Sequence, residues 1–482
     1  MADYTSMLRE LPAVDRVMHE PAITEVLEAL PRALVLQAVK ETIDLHRRFI
    51  SEHRLEQTKL DNLDLSPERI AREAAVLAAK KADLNIRPLI NATGVVIHTN
   101  LGRAPLPAAA VEALKAVAGN YSNLELNLVN GKRGSRQDHL EEIICELTGA
   151  EAAVVLNNNA AAVFLALNAL AAGRDVIVSR GQLVEIGGSF RIPEIMTASG
   201  ARLIEVGTTN KTYLRDYESA VTENCAAFLK VHTSNYQMVG FTAEVETSEL
   251  AALAHKHNLI MIEDLGSGVL LDLEKYNLPA EPKVQDSISA GADLVTFSGD
   301  KMLGGPQAGI VVGRKDLINY IRTNQLARSL RVDKFTVAAL EATLRLYFDE
   351  EKAVKEIPVW RMLTAEPDYL KERAEKLAAK ISEIFGASNT LVIPGISRVG
   401  GGALPNAELP TTLVSVKLDE ALGSPEVFTG KLRSGKPPVI LRLQQDSLLF
   451  DPRTIFEEQE DILVEVLLDC INAPLSNYDS SS

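Results

Sequence analysis

From about residue 87 onward, short apolar runs alternate with amphipathic stretches. Residues 152–156, 175–178, 202–206, 227–231, 259–262, 293–297 and 310–312 read as buried strands, with stretches such as 217–221 and 248–257 as helices between them. That alternation predicts an α/β domain with a mostly parallel sheet. Ligands of such sheets gather at the carboxyl ends of the strands, so chemistry is expected just after each apolar run. The first 66 residues follow a helical period instead. Ile23, Val26, Leu27 and Leu30 fit one apolar face, and Leu34, Val35, Ala38, Val39, Thr42 and Ile43 fit another after Pro31. Asp61-Asn62-Leu63-Asp64 reads as a linker. Ser66 and Pro67 then suit the N-cap and first turn of a helix running to about Leu84. Past residue 349 the chain turns helical, then strand-rich at 391–393, 411–417 and 439–443, and closes with a helix at 456–468. The expected organisation is a helical N-terminal domain (1–66), a linker helix (67–87), an α/β core (88–349) and a small α+β C-terminal domain (350–482).

Composition narrows the class. The chain has 482 residues, 46% hydrophobic and 24% charged, which suits a soluble globular protein of several domains. The longest near-apolar run, 160–172, is too short to span a bilayer. Cys145, Cys225 and Cys470 lie far apart without metal-ligand spacing, so no metal is expected and a reducing, cytoplasmic setting is. A net charge of −15 argues against coating nucleic acid by bulk electrostatics, though a local basic patch remains compatible. His46, Arg47, Arg48, His53 and Arg54 form a modest one.

Three strand-end features carry the candidate chemistry. Lys301 follows the 293–297 run on a loop of small residues, where a desolvated amine could attack an aldehyde. Asp264 ends the 259–262 run and could keep a pyridine nitrogen protonated. Asn157, Asn158, Asn159 and Ala160 follow the 152–156 run and open a helix, which suits a phosphate, and Ser298 could add a hydroxyl to it. Phosphate cradle, acid and lysine in this order resemble the aspartate-aminotransferase-like superfamily (fold type I) of pyridoxal-phosphate enzymes.

Longer segments narrow the resemblance. They are RPLINATGVVIHTNLGRA at 87–104, RGQLVEIGGSFRIP at 180–193, VHTSNY at 231–236, SGDKMLGGPQAG at 298–309 and LEATLRLY at 340–347. Over almost its whole length the chain resembles the bacterial selenocysteine synthase, or L-seryl-tRNA(Sec) selenium transferase, family. One departure is visible: Gln182 stands where a glutamate is expected, which keeps hydrogen bonding but weakens any carboxylate role. The resemblance implies pyridoxal 5′-phosphate bound through Lys301 and conversion of seryl-tRNA(Sec) to selenocysteinyl-tRNA(Sec) via a dehydroalanyl-tRNA aldimine, with selenophosphate as donor. Lys301 would take the α-proton and, as an ammonium, protonate the departing oxygen. Arg103, Arg328 and Arg331 would seat the anionic donor, with Arg328 and Arg331 on one helical face and Asp300 orienting one of the arginines. The N-terminal helices would read the tRNA. A homo-oligomeric ring of dimers with sites at dimer interfaces is implied, and neither a membrane nor DNA is. Arg442 is expected to be structural, because an esterified substrate has no free carboxylate to clamp.

Overall fold

The computed structural model describes residues 4–54, 60, 63–186, 190–405 and 407–472; Asp61 and Asn62 of the expected linker lie outside them. The chain divides into two units, Met1–Pro88 and Leu89–Ser482.

The first unit is helical. Leu30 ends the helix Pro21–Ala29, and Pro31 caps the next, Arg32–Glu52. Proline disfavours helix in the residue before it, so one apolar pattern becomes two helices. Ser66 accepts a hydrogen bond from the Arg69 amide and Pro67 opens the helix Pro67–Ala82, as the sequence predicts. That helix is no linker. Its Ile70, Ala71, Ala74 and Ala78 are buried in one core with Val35, Ala38, Val39 and Ile43. Alanines at this spacing let two helices approach closely, which a purely hydrophobic reading undervalues.

The second unit holds two sheets. The larger has seven strands in the order Ala152–Leu156, Gly309–Gly313, Leu294–Ser298, Ile260–Gly266, Cys225–Val231, Asp175–Ser179 and Arg202–Val206. Only Gly309–Gly313 runs antiparallel to its neighbours. Successive side chains point to opposite faces. Ala153, Val155, Phe228, Met261, Val295 and Phe297 therefore enter one apolar cluster, and Ala152, Val154, Leu156, Ala227, Leu229 and Leu294 the other. Burial on both faces explains why these strands read as unbroken apolar runs.

The smaller sheet has six strands in the order Ile90–Ala92, Val439–Gln444, Ser447–Phe450, Glu408–Lys417, Thr390–Gly400 and Val95–Ile97. Its two outer strands come from the start of the span assigned to the core at 88–349. Ile90 pairs with Val439, and Val95 with Arg398. Three-residue strands carry too little pattern to name their partners, so sequence adjacency placed them with the wrong sheet. Helices Pro367–Phe385, Pro425–Ser434 and Glu460–Asn472 contribute to this sheet's apolar core.

Candidate active site

The carboxyl ends of the large sheet's parallel strands gather the predicted residues. Asp264, on Ile260–Gly266, is 4% exposed. Its Oδ1 accepts hydrogen bonds from Asn159 Nδ2 at 2.7 Å and Thr296 Oγ1 at 2.9 Å. Burial pushes its carboxyl above the usual range, against the pull of those donors and of the Lys301 charge. Asn159 opens the helix Asn159–Ala171, capped by Asn158, whose Oδ1 accepts from the Ala161 amide. The first-turn amides of Asn159 and Ala160 have no acceptor within their own helix. Asn157 is held by its amide, which donates to the Leu330 carbonyl at 2.9 Å. Ser298 ends the neighbouring strand and is buried.

Lys301 follows that strand and is 5% exposed. The loop closes tightly behind it: Gly299 donates to the Ala308 carbonyl at 2.9 Å, and Gly305 to the Gly299 carbonyl at 2.8 Å. Gly402, from the loop after Thr390–Gly400, packs onto the amine; a Cβ there would lie 2.5 Å from Nζ. Burial pushes the lysine down, the Arg103 charge adds to this, and Asp264, Asp300 and Glu281 oppose it. Asp300 pairs with Arg103 within the same chain at 2.8 Å. Ser234 and the amine both face Gly266: a Cβ there would sit 3.6 Å from Ser234 Oγ and 3.7 Å from Lys301 Nζ.

Arg328 and Arg331 come together, but not as expected. The helix Gln325–Ser329 stops before Arg331, which instead bridges to Leu156 as a strand residue. Both arginines line a cavity of about 380 Å³ with Arg133, Arg136 and Arg322. Glu125 accepts from Arg133, Arg136 and Arg331 there. Lys301 does not line this cavity.

A second cavity, of about 540 Å³, includes Gln182, His232, Tyr236, Glu281 and Leu404. Gln182 donates to Glu244 at 2.8 Å and accepts from the Val231 amide at 3.1 Å. A glutamate there would set two carboxylates against each other, so glutamine suits this partner. His232 is pushed down to about 4, mainly by burial, with Lys230 and Lys301 adding to it. The Glu281 side chain is 2% exposed, and burial pushes its carboxyl up. The sequence assigned no role to His232 or Glu281. His232 stands in the VHTSNY segment, at the end of a predicted strand, which was a usable signal; Glu281 stands in a loop and offered none.

Arg442 donates to the Ile396 carbonyl at 2.9 Å and to the buried Asp451 at 3.1 Å. It holds the small sheet, as expected. No helix among the described residues is long and apolar enough to cross a membrane.

The family described as L-seryl-tRNA selenium transferase matches residues 89–456, and that described as Selenocysteine synthase N terminal matches residues 8–47. The L-seryl-tRNA(Sec) selenium transferase of Nitratidesulfovibrio vulgaris is 49% identical over 456 residues, covering 93% of this chain and 96% of the relative. Its counterpart from Geotalea daltonii is 48% identical over 463 residues, covering 96% of this chain and 99% of the relative. Among solved structures, a D-glucosaminate-6-phosphate ammonia-lyase superposes with a TM-score of 0.54 at 20% identity, over 80% of this chain and 96% of that one; this likeness concerns the fold alone. With near-full-length relatives at this identity, the chain belongs to the L-seryl-tRNA(Sec) selenium transferase family.

Proposed function

We propose that this chain converts L-seryl-tRNA(Sec) to L-selenocysteinyl-tRNA(Sec), with pyridoxal phosphate as cofactor and selenophosphate as selenium donor. One observation carries the reading: in a chain of that family, the buried Lys301 amine shares a site with the buried Asp264 carboxyl beside an open helix N-terminus. The site's residues fit the cofactor. Asn159 Oδ1 and Ser234 Oγ are buried without hydrogen-bond partners, as expected where a polar group belongs. Asn157, Asn158, Ser298 and the Asn159 and Ala160 amides would hold its phosphate. Asp264 would keep its ring nitrogen protonated, and a cationic ring would supply the partner that this buried carboxylate needs. When bound, pyridoxal phosphate supplies an aldehyde for the substrate amine and an electron sink for charge at Cα.

Lys301, its basicity lowered by burial, takes the serine α-proton. Arg103, oriented by Asp300, and the pair Arg328 and Arg331 seat selenophosphate through guanidinium forks. The arginine pair lines a cavity that excludes Lys301 in its own chain. That arrangement supports a homo-oligomer in which one subunit's pair serves a neighbour's lysine. The N-terminal helices read the tRNA by shape, and the enzyme acts in the cytoplasm.

The test is direct. Purified protein is mixed with seryl-tRNA(Sec), the cofactor absorbance is followed, selenophosphate is added, and the aminoacyl product is analysed. Selenocysteinyl-tRNA is expected. No loss of serine, with turnover of a free amino acid instead, overturns the reading in favour of a lyase.

A further inference from the structure

We propose that Glu281 is the catalytic acid that protonates the serine β-oxygen as it leaves. This rests on the seryl-tRNA reading above. Loss of water from serine moves two protons at adjacent positions, one off Cα and one onto the oxygen. A single lysine would have to do both in turn. A second group, protonated beforehand, removes that constraint.

Glu281 has the placement for it. Its Oε2 accepts from the Leu404 amide at 2.9 Å, which fixes the carboxyl. Its Oε1 is buried and has no hydrogen-bond partner. That oxygen lies 3.6 Å from His232 Nε2, and both side chains line the 540 Å³ cavity. The Ser267 hydroxyl stands beside the same carboxyl and pulls against the effect of burial. Buried polar atoms left open in this way are costly unless something arrives to satisfy them. Leu404 belongs to the same loop as Gly402, which packs on Lys301, so one loop fixes both acid and base.

The electrostatics agree with that division of labour. Burial raises the Glu281 carboxyl and lowers the Lys301 amine, each in the direction its role as acid or base requires. His232, pushed down to about 4, stays neutral near pH 7 and adds no competing charge. The step balances. The Cα–H electron pair forms the Cα–Cβ double bond as the proton goes to Lys301. The Cβ–O bond breaks as the oxygen takes the Glu281 proton, and water leaves. Transfer of the proton from the Lys301 ammonium to the Glu281 carboxylate restores both groups.

Leaving-group dependence tests this on the full-length holoenzyme. Glu281→Gln keeps an oxygen for the Leu404 amide but cannot act as an acid. Cofactor absorbance and exchange of the substrate α-proton with solvent should stay at wild-type levels. Loss of serine from seryl-tRNA(Sec) should fall by about 10²–10³-fold. With β-chloroalanyl-tRNA(Sec), whose chloride departs without a proton, the variant should come within about threefold of wild type. Wild-type rates on seryl-tRNA(Sec), or an equal loss on both substrates, would overturn the assignment. If wild type itself leaves seryl-tRNA(Sec) untouched, it is the functional reading that fails.

Discussion

The role proposed for Asp300 runs through Arg103. The pair is formed at 2.8 Å and the Asp300 side chain is 9% exposed, so the guanidinium is aimed before any anion arrives. Asp300→Asn should raise the selenophosphate concentration for half-saturation by about tenfold, or about 1.4 kcal/mol, with cofactor absorbance unchanged. Steady-state titration of the donor measures it. His232 yields a prediction with a sign. Its folded-state value is about 4 against an ordinary 6.5, so below pH 6.5 the unfolded chain binds a proton that the folded one refuses. The stability owed to His232 is complete above pH 6.5 and declines toward pH 4, by about 1.4 kcal/mol per unit at most. Urea unfolding of His232→Gln against wild type at pH 7 and pH 5 should show a shallower loss in the variant. Residues at strand ends were legible in the sequence because position alone marks them: Lys301 and Asp264 are buried in one site, and the half-buried Asn159 bonds to Asp264 there. Glu281 was not, since a loop carboxylate looks solvated until the Leu404 amide, 123 residues away in the chain, is seen to bind it.

Among the elements, the antiparallel Gly309–Gly313 strand has a function its apolar sequence conceals. It lies between Ala152–Leu156 and Leu294–Ser298, the strands that carry the asparagine turn and the lysine loop. Gly309 presses on that turn: a Cβ there would come within 1.9 Å of the Asn158 carbonyl oxygen. Backbone cannot yield as a flexible side chain can, so Gly309→Ala should displace Asn158 and Asn159 from the place proposed for the phosphate. Cofactor affinity is expected to drop by at least about tenfold, or about 1.4 kcal/mol, in an absorbance titration. Gly119→Ala, where a Cβ meets nothing within 4 Å, is the control and should bind as wild type does. The strands of the large sheet were legible because burial on both faces leaves continuous apolar runs. Helix ends were less so. The spacing of Arg328 and Arg331 fits a helix, but the chain leaves helix at Leu330 to bridge Leu156, a tertiary preference that no local pattern encodes.

At the scale of the whole molecule, charge decides where an RNA can be met. Residues 1–88 carry 13 Lys and Arg against 15 Asp and Glu, so −2 of the net −15 lies there and −13 on residues 89–482. Within the first unit, several basic side chains, two of the expected cluster among them, are already answered. His46 contacts Glu73 at 2.6 Å, Arg47 pairs with Asp44, and Lys81 with Glu41 at 2.8 Å. A nearly neutral, helical unit is suited to reading a folded RNA by shape with few phosphate contacts. The boundary at Pro88 also sets where a truncation should fall. A cut at residue 66 would strip the helix Pro67–Ala82 of the partners that bury Ile70, Ala71, Ala74 and Ala78. A cut at 88 leaves Ile90 in register with Val439 and the large sheet whole. Deletion of residues 1–88 should therefore keep the cofactor absorbance and weaken tRNA(Sec) binding by at least about 100-fold, or about 2.7 kcal/mol. Binding to wild type should fall only gently as salt rises, since few counterions are released. Unchanged affinity in the deletion, or a steep salt dependence in wild type, would place the RNA on the acidic unit's local arginines instead.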